Sequence, residues 1–239
     1  MTASRFILAS MRITYVTHTR FPTEKAHGYQ VAQVCHAVAS LDHAVTLVTP
    51  TVGVMPSESA FRFYGIPESF SIVRLQQFDA LSSSFVPGKL AFAIAMISYR
   101  YALKTYFASS RADLLYVRSP VLLPALLATK LPIILELHTL PRFFKKRFVR
   151  MTNRCRLVVC LTHAMRKELL SWGCDARKIL VEADGVDHER FYNLPPANLA
   201  KQDWSLPQDR TVVGYVGSLV TRDTLEKGVA ELIDAMAIL

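Results

Sequence analysis

Residues 113–137, DLLYVRSPVLLPALLATKLPIILEL, decide the fold. The apolar runs 113–117 and 133–137 predict two strands, and residues 120–129 between them predict a helix that begins at a proline. A strand, a helix and a second strand in this order form a crossover unit, in which the two strands run parallel. This stretch therefore predicts a parallel sheet with a helix packed on its face.

The same alternation continues on both sides of this stretch. Further strands are predicted at 12–18, 44–49, 71–75, 157–161 and 179–182. Further helices are predicted at 28–41, from Pro87 through the uniformly apolar and therefore buried run 90–99, at 141–153, and from a Thr162 cap to Gly173. The predicted fold class is α/β, with a parallel sheet covered by helices on both faces.

Residues 193–210 interrupt the alternation, since their Leu-Pro-Pro and Leu-Pro-Gln segments are typical of a linker. The residues after them predict a new strand at 211–216 and a helix at 228–239. One strand and one helix cannot enclose a hydrophobic core. We therefore expect a first domain at 11–192, followed by the linker and by the incomplete start of a second domain at 211–239.

The composition is that of a globular protein, with 51% hydrophobic and 20% charged residues. Its apolar runs are too short, or too interrupted by proline and lysine, to span a bilayer, and the first ten residues do not resemble a signal peptide. The native start is either Met1 or Met11, because the first clear strand begins directly after Met11. These features predict a cytoplasmic protein.

The formal charge of +9 is concentrated between Glu136 and Glu168, where no acidic residue occurs. The basic residues of this segment are Arg142, Lys145, Lys146, Arg147, Arg150, Arg154, Arg156, Arg166 and Lys167. The positive and negative charges of the rest of the chain balance. We therefore expect a local basic surface, and no binding of nucleic acid, which would require basic charge over a wider surface.

The predicted helix 141–153 carries five of these residues, Arg142, Lys145, Lys146, Arg147 and Arg150. Its other side is apolar, with Phe144, Phe148 and Met151. Such a helix either rests on anionic lipid or meets a phosphate-bearing acceptor, or it is an ordinary solvated outer face.

Ligands of open parallel sheets bind at the carboxyl ends of the strands, where helix N-termini offer amide groups to phosphate. Three residues have this position. Gly28 either simply starts its helix or lets the backbone approach an anionic ligand. His138 follows a strand, and it either binds a sugar hydroxyl or is satisfied by neighbouring backbone. Lys227, at the start of a helix, is either part of a diphosphate site or a solvated surface residue.

Several segments in this order resemble glycosyltransferase family 4. They are residues 21–23, 26–31, 41–48, 136–139, 159–162, 178–181, 184–191, 214–219, 226–229 and 232–235. The segments up to residue 48 resemble the glycine loop, helix and second strand of the family, and His138 resembles its histidine at a strand end. Residues 184–191 resemble the Asn-Gly-Val-Asp stretch that ends the first domain. Residues 214–219 and 226–229 resemble the opening of the donor domain.

The resemblance implies the GT-B fold, in which two facing Rossmann-like domains transfer a sugar from a nucleotide-diphosphate donor to a glycan or lipid-linked acceptor. It implies retention of the anomeric configuration and no obligatory metal or other cofactor. This agrees with histidines and cysteines that form no HExxH or CxxC pattern. By resemblance, His138 lies at the reacting centre. The implied donor-binding residues are Gly28, Gly217, Ser218, Lys227 and Gly228.

This chain departs from the family pattern at three places. Asp184 stands where asparagine is usual, Ser218 stands where an arginine is frequent, and the loop 219–226 is longer than common. In addition, the paired glutamates of the family and its nucleotide pocket would lie beyond Leu239. We therefore expect a truncated enzyme that is inactive alone, or one that is completed by a separate carboxy-terminal half.

The alternative is a non-catalytic Rossmann module that binds an acceptor or a partner chain. The coding sequence after residue 239 distinguishes the two hypotheses, because only the enzyme requires two glutamates seven residues apart in a donor domain. If the basic helix rests on lipid, we expect the protein at the inner face of the cytoplasmic membrane.

Overall fold

The computed structural model describes residues 9–53, 59–78, 87–217, 219 and 227–238. Its strands are β1 (Arg12–Val16), β2 (Ala44–Pro50), β3 (Ser71–Leu75), β4 (Leu114–Val117), β5 (Ile133–Leu137), β6 (Leu157–Cys160) and β7 (Ile179–Val181). Its helices are α1 (Ala26–Ala39), α2 (Ala60–Tyr64), α3 (Gly88–Ser109), α4 (Leu123–Leu126), α5 (Lys145–Thr152), α6 (His163–Ser171), α7 (His188–Tyr192), α8 (Ala197–Asp203) and α9 (Val229–Met236). Two 3₁₀ turns, Pro120–Leu122 and Leu127–Thr129, flank α4, so the predicted helix 120–129 is broken into three short pieces.

The seven strands form one sheet in the order β3-β2-β1-β4-β5-β6-β7. Every neighbouring pair is parallel. At the centre, Ile13 of β1 is in register with Val45 of β2 and with Leu114 of β4. The predicted parallel sheet is confirmed, and all strands end with their carboxyl termini at the same edge.

The core occupies both faces of this sheet, because successive side chains of a strand point to opposite sides. On one face, Tyr15 of β1 packs in a cluster with Val31 and Cys35 of α1. On the other face, the next residue, Val16, belongs to a cluster that contains Tyr99 of α3. Helices therefore cover both faces, as predicted.

Helix α3 departs from the sequence prediction. Its buried residues are Ala91, Ala95, Met96, Tyr99 and Leu103, which share one side. Leu90, Ile97 and Tyr101 are each more than half exposed. The prediction of a helix that is buried all round was wrong, since a helix that covers one face of a sheet turns only one side toward the core.

Helix α5 begins at Lys145, four residues later than predicted. Phe144 precedes it with a left-handed backbone, φ 59°, which does not continue a right-handed helix. Phe148 is buried as predicted, but Phe144 is 83% exposed, so its predicted place on the apolar side was wrong. The apolar spacing continues into the preceding loop, and spacing alone does not mark the residue at which a helix begins.

Helix α6 is bounded by the predicted signals. The Thr162 side chain accepts a hydrogen bond from the Met165 amide at 3.1 Å, which caps the N-terminus. At the other end, Gly173 has φ 97° and the Cys174 amide donates to the Leu169 carbonyl at 3.1 Å. A glycine in the left-handed region with this hydrogen bond is the usual way to end a helix.

The chain divides into two compact units, residues 1–184 and 185–239. The first contains the sheet and α1 to α6, and the described part of the second contains α7 to α9. Within the predicted linker, residues 197–203 form α8. Residues 211–216 are not a strand, because strand backbone groups need a partner strand and the described part of this unit holds none. The predicted domain boundaries at 192 and 211 stay predictions.

Candidate functional site

A cleft of about 340 Å³ lies in the first unit at the carboxyl edge of the sheet. Its lining residues are Thr17, His18, Thr19, His27, Val31, Phe92, Arg118, Ser119, Pro120, Val121, His138 and Thr139. They follow the ends of β1, β4 and β5 or belong to α1 and α3. The cleft is therefore at the edge where ligands of open parallel sheets bind.

Strand β5 brings a buried carboxylate to this edge. Its alternation turns Leu135 and Leu137 into the core layer beneath α3, which leaves Glu136 on the opposite face. Glu136 is only 4% exposed. Its position requires hydrogen-bonding partners, because a buried charge without them is strongly unfavourable.

Four side chains satisfy or surround Glu136. His138 Nε2 is hydrogen-bonded to Glu136 Oε1, and Tyr116 donates its hydroxyl to Oε2 at 2.5 Å. Gln30 of α1 donates from Nε2 to Glu136 Oε1 at 3.1 Å and to Asp184 Oδ1 at 2.5 Å. Asp184 Oδ2 lies 3.9 Å from His138 Nδ1. Two carboxylates therefore face the two nitrogens of one histidine ring.

The carboxyl group of Glu136 is ionised at neutral pH. Burial alone would raise its pKa, but the hydrogen bonds from His138 and Tyr116, together with the positive charge of Arg118, outweigh burial and lower the pKa below its ordinary value. Burial and the nearby Glu136 charge raise the pKa of Tyr116, which keeps that hydroxyl protonated as a donor. An ionised acceptor on Nε2 fixes the orientation of the His138 ring.

Glu136, His138 and Asp184 also offer ligand atoms within 4.8 Å of one another, which raises the question of a metal ion. The Nε2 of Gln30 lies between the two carboxylates and donates to both. Amide N–H groups are donors and do not coordinate cations. We interpret these residues as a hydrogen-bonded network, and the sequence-based absence of a metal stays a prediction.

His18 and Ser119 also line the cleft, and the His18 ring nitrogen Nδ1 is hydrogen-bonded to the serine hydroxyl. Burial, followed by the nearby His27 and Arg118, lowers the pKa of His18 to about 4. The ring is therefore neutral at physiological pH. Neither His18 nor Arg118 is among the site residues predicted from the sequence. His18 falls within the predicted strand 12–18, whereas Arg118 directly follows the predicted strand 113–117, which is the signal that identifies His138.

Gly28 is buried in the first turn of α1, next to His27 in the cleft. A Cβ at this position would meet the Tyr64 hydroxyl oxygen, and it would lie 2.5 Å from Thr23 Cγ2. Tyr64 and Thr23 are themselves joined by hydrogen bonds of 2.7 and 2.9 Å. Close packing of this loop therefore explains the glycine, and its predicted contact with donor phosphates stays a prediction.

The remaining predicted donor residues belong to the second unit. Gly228 has φ 70° and is the N-cap of α9, and the exposed Lys227 lies one residue before it. Gly217 is exposed in a segment without regular structure, and Ser218 lies outside the described residues. The start of a helix beside Lys227 is confirmed, and the contact of these residues with a diphosphate stays a prediction.

The five basic residues of the predicted surface are all exposed. Lys145 has partners within the chain, since its Nζ lies 3.9 Å from Glu168 Oε1 and 4.2 Å from the centre of the Trp172 ring. Phe143 and Phe144, directly before α5, are 76% and 83% exposed. In the part of the chain that the structure describes, no helix is both long and apolar enough to cross a bilayer.

The sheet order and the cleft define a Rossmann-like domain of the kind found in GT-B enzymes. A model of Glycosyltransferase Family 4 matches residues 27–190, which is more than half of the 239 residues. The chain belongs to glycosyltransferase family 4. Comparison with curated proteins gives no significant match.

Solved structures share the fold at low sequence identity. A sucrose-phosphate synthase from Thermosynechococcus elongatus is 18% identical with a TM-score of 0.70, over 96% of this chain and 60% of that one. A glycosyltransferase from Rickettsia africae ESF-5 is 17% identical with a TM-score of 0.63, over 96% and 57%. HepE from Anabaena, in complex with UDP and glucose, is 20% identical with a TM-score of 0.59, over 95% and 58%. The chain thus spans 57–60% of the length of these structures.

Proposed function

We propose that this chain provides the acceptor side and the catalytic histidine of a glycosyltransferase. The reaction is transfer of a sugar from a nucleotide-diphosphate donor to a glycan or lipid-linked acceptor, with retention of the anomeric configuration and without a metal. Membership of family 4 supports sugar transfer as the reaction class. The observation that carries the proposal is the placement of His138 in the cleft by the Glu136 network.

In this proposal His138 contacts the donor sugar at the reacting centre, while Glu136 and Asp184 hold its ring from two sides. Asp184 has a role here that the usual asparagine lacks, because a carboxylate beside Nδ1 adds a negative charge next to the ring. A preformed arrangement of this kind stabilises charge that develops in the transition state without reorganising at the moment of reaction.

The donor diphosphate is proposed to meet Lys227 and the N-terminus of α9, together with Gly217, Ser218 and Gly228. Gly28 is proposed to lie near the same phosphates. The UDP complex of the similar HepE structure supports a nucleotide sugar as donor. Because the chain spans less than two thirds of the length of the similar structures, we propose that transfer needs donor contacts beyond those of the 239 residues.

A lipid-linked acceptor is favoured by the surface that follows the cleft. Thr139 lines the cleft, and the same loop continues to the exposed Phe143 and Phe144 and then to the basic residues of α5. Exposed aromatic side chains beside positive charges are suited to an anionic membrane surface.

The test is a transfer assay with purified chain. The 239-residue chain, and the same chain continued by any coding sequence after Leu239, are incubated with UDP-, GDP- or ADP-sugars and with lipid or glycan extract. We expect labelled product only from the continued chain, with the anomer of the donor retained in its NMR spectrum. Product from the short chain contradicts the need for further donor contacts, and an inverted anomer contradicts retention. Acceptor binding without any product favours the non-catalytic module.

A further inference from the structure

The cleft carries a positive charge that no carboxylate of its lining balances. Of the described lining residues, Arg118 alone has a permanently charged side chain, and none is aspartate or glutamate. His18 is neutral at physiological pH because burial, with the nearby His27 and Arg118, lowers its pKa to about 4. Arg118 therefore places a permanent positive charge in the described lining of the cleft.

Arg118 is partly buried directly after the end of β4, and one of its nitrogens, Nη1, donates to the His27 carbonyl at 3.3 Å. In the described part of the chain it forms no ion pair within 4.0 Å. Both oxygens of Glu136, whose pKa Arg118 helps to lower, are already bonded to other side chains. A guanidinium has five N–H donors, so donors remain for a ligand.

The surroundings of Arg118 suit a sugar ring with a charged substituent. Thr17, Thr19, Ser119 and Thr139 supply hydroxyl groups, and the hydroxyls of Thr17 and Thr19 lie 2.9 Å apart. Phe92, Val31 and Val121 supply apolar contact. The volume of about 340 Å³ is at the small end of the range for ligand sites, which fits a monosaccharide unit.

We propose that this cleft is an anion-binding subsite in which Arg118 holds a carboxylate or phosphate group of the sugar acceptor. Planar guanidinium groups bind both anions with two parallel hydrogen bonds. The subsite distinguishes acidic sugars and sugar phosphates from neutral sugars. The assignment of this anion to the acceptor rests on the proposed function, whereas binding of the anion rests only on the cleft.

The test is calorimetric titration of the 239-residue chain with glucuronate, glucose 6-phosphate and neutral glucose. We expect at least one anionic sugar to bind more than about tenfold tighter than glucose, with an affinity that falls as salt is added. Arg118→Gln should weaken that binding about tenfold or more, because it removes the charged hydrogen bonds. The matched control Arg111→Gln changes an exposed arginine outside the cleft and should leave binding unchanged.

A second pair of variants keeps the test valid if Arg118→Gln fails to fold. Thr139 lines the cleft and is exposed, so its replacement does not disturb the core. Thr139→Glu should weaken anion binding at least about tenfold more than Thr139→Gln, because both variants remove the same hydroxyl with a side chain of the same size and only glutamate places a carboxylate in the cleft.

Equal binding of glucose and both anionic sugars, or no binding of either anion at millimolar concentration, overturns the proposal. Equal affinities of Thr139→Glu and Thr139→Gln also overturn it. A preference for glucuronate assigns a carboxylate, and a preference for glucose 6-phosphate assigns a phosphate. Because binding is measured without transfer, loss of the anion subsite leaves the transfer assay standing, and failure of transfer leaves the subsite standing.

Discussion

Glu136 is the residue on which the geometry of the site depends. It is buried, and it accepts hydrogen bonds from Tyr116 and Gln30 in addition to its bond with His138. These donors come from β4 and α1, so a single carboxylate joins three elements of the fold at the cleft. Its contribution to stability should therefore be measurable without knowledge of the substrate.

Glu136→Gln should lower the free energy of unfolding by about 1–3 kcal/mol at pH 7, because it removes the charge from a buried hydrogen-bonded group. The lowered pKa means that the carboxylate stabilises the fold above its ordinary pKa of 4.5 and that this stabilisation is lost as the pH falls further. The difference between wild type and variant should therefore shrink below about pH 4.5. Urea unfolding across pH measures it, with the exposed Glu68→Gln as control. A difference that does not change with pH contradicts the assignment.

His18 should make the protein less stable in weak acid. Its pKa is about 4 in the fold against an ordinary 6.5, so only the unfolded chain gains this proton between these values. Stability should fall as the pH drops from 6.5 to 4, by up to about 3 kcal/mol. In His18→Gln this part of the decline should disappear from thermal unfolding curves. His163→Gln, an exposed histidine, should keep the wild-type decline, and an identical decline in both variants would show that His18 is not responsible.

Gly28→Ala should destabilise the fold by about 1–3 kcal/mol, because the added methyl group overlaps Tyr64 and Thr23. Tyr64→Phe should lower the free energy of unfolding less in the Gly28→Ala variant than in wild type, since the Tyr64 hydroxyl oxygen is one of the overlapping atoms. Chemical denaturation of the four proteins of this cycle measures the coupling. Gly88→Ala, where a Cβ meets nothing within 4 Å, is the control and should not destabilise. Additive effects of the two substitutions would contradict the packing explanation.

At the residue scale the sequence predicts His138 because it directly follows a strand. It does not predict the hydrogen-bonded network around that histidine, because Gln30, which joins the two carboxylates, lies 106 residues from Glu136 and 154 from Asp184 along the chain. A glycine is equally ambiguous, since Gly28 fits a helix start, a ligand contact or the observed close packing. Only the arrangement of neighbours in space separates these explanations.

At the scale of elements, the segment before α5 exposes two aromatic side chains. Phe143 and Phe144 are exposed, and the helix behind them is anchored by Phe148 and by the contacts of Lys145 with α6. Sequence spacing predicts the helix itself, but it does not predict where the helix begins. That point depends on the left-handed backbone of Phe144, which no periodicity records.

Replacing Phe143 by Ser and Phe144 by Asn should reduce binding to anionic vesicles about fivefold or more, because both rings leave the lipid surface. Asparagine is chosen at 144 because it tolerates a left-handed backbone. Co-sedimentation with phosphatidylglycerol vesicles measures the effect, and binding should weaken further with salt. Leu41→Ser, an exposed apolar residue of a distant loop, should bind like wild type. Equal binding of all three proteins would exclude this segment from membrane contact.

At the scale of the whole molecule, alternation of strands and helices is enough to predict the parallel sheet and its two helical layers. The order of the strands is not contained in that alternation, because any crossover pattern satisfies it. The predicted strand 211–216 is wrong for a different reason, because an apolar run becomes a strand only beside another strand. The sequence therefore predicts the first unit better than the second.

The central claim is that the cleft at the carboxyl edge of the sheet is a sugar-transfer site with His138 at its reacting centre. The most direct measurement is the transfer rate of the continued chain with His138→Ala, beside His163→Ala as a control on an exposed histidine. We predict a loss of about 100-fold or more for His138→Ala, the usual range for an acid, base or charge-stabilising group, and a wild-type rate for His163→Ala. A His138→Ala protein that transfers sugar at the wild-type rate would contradict the claim.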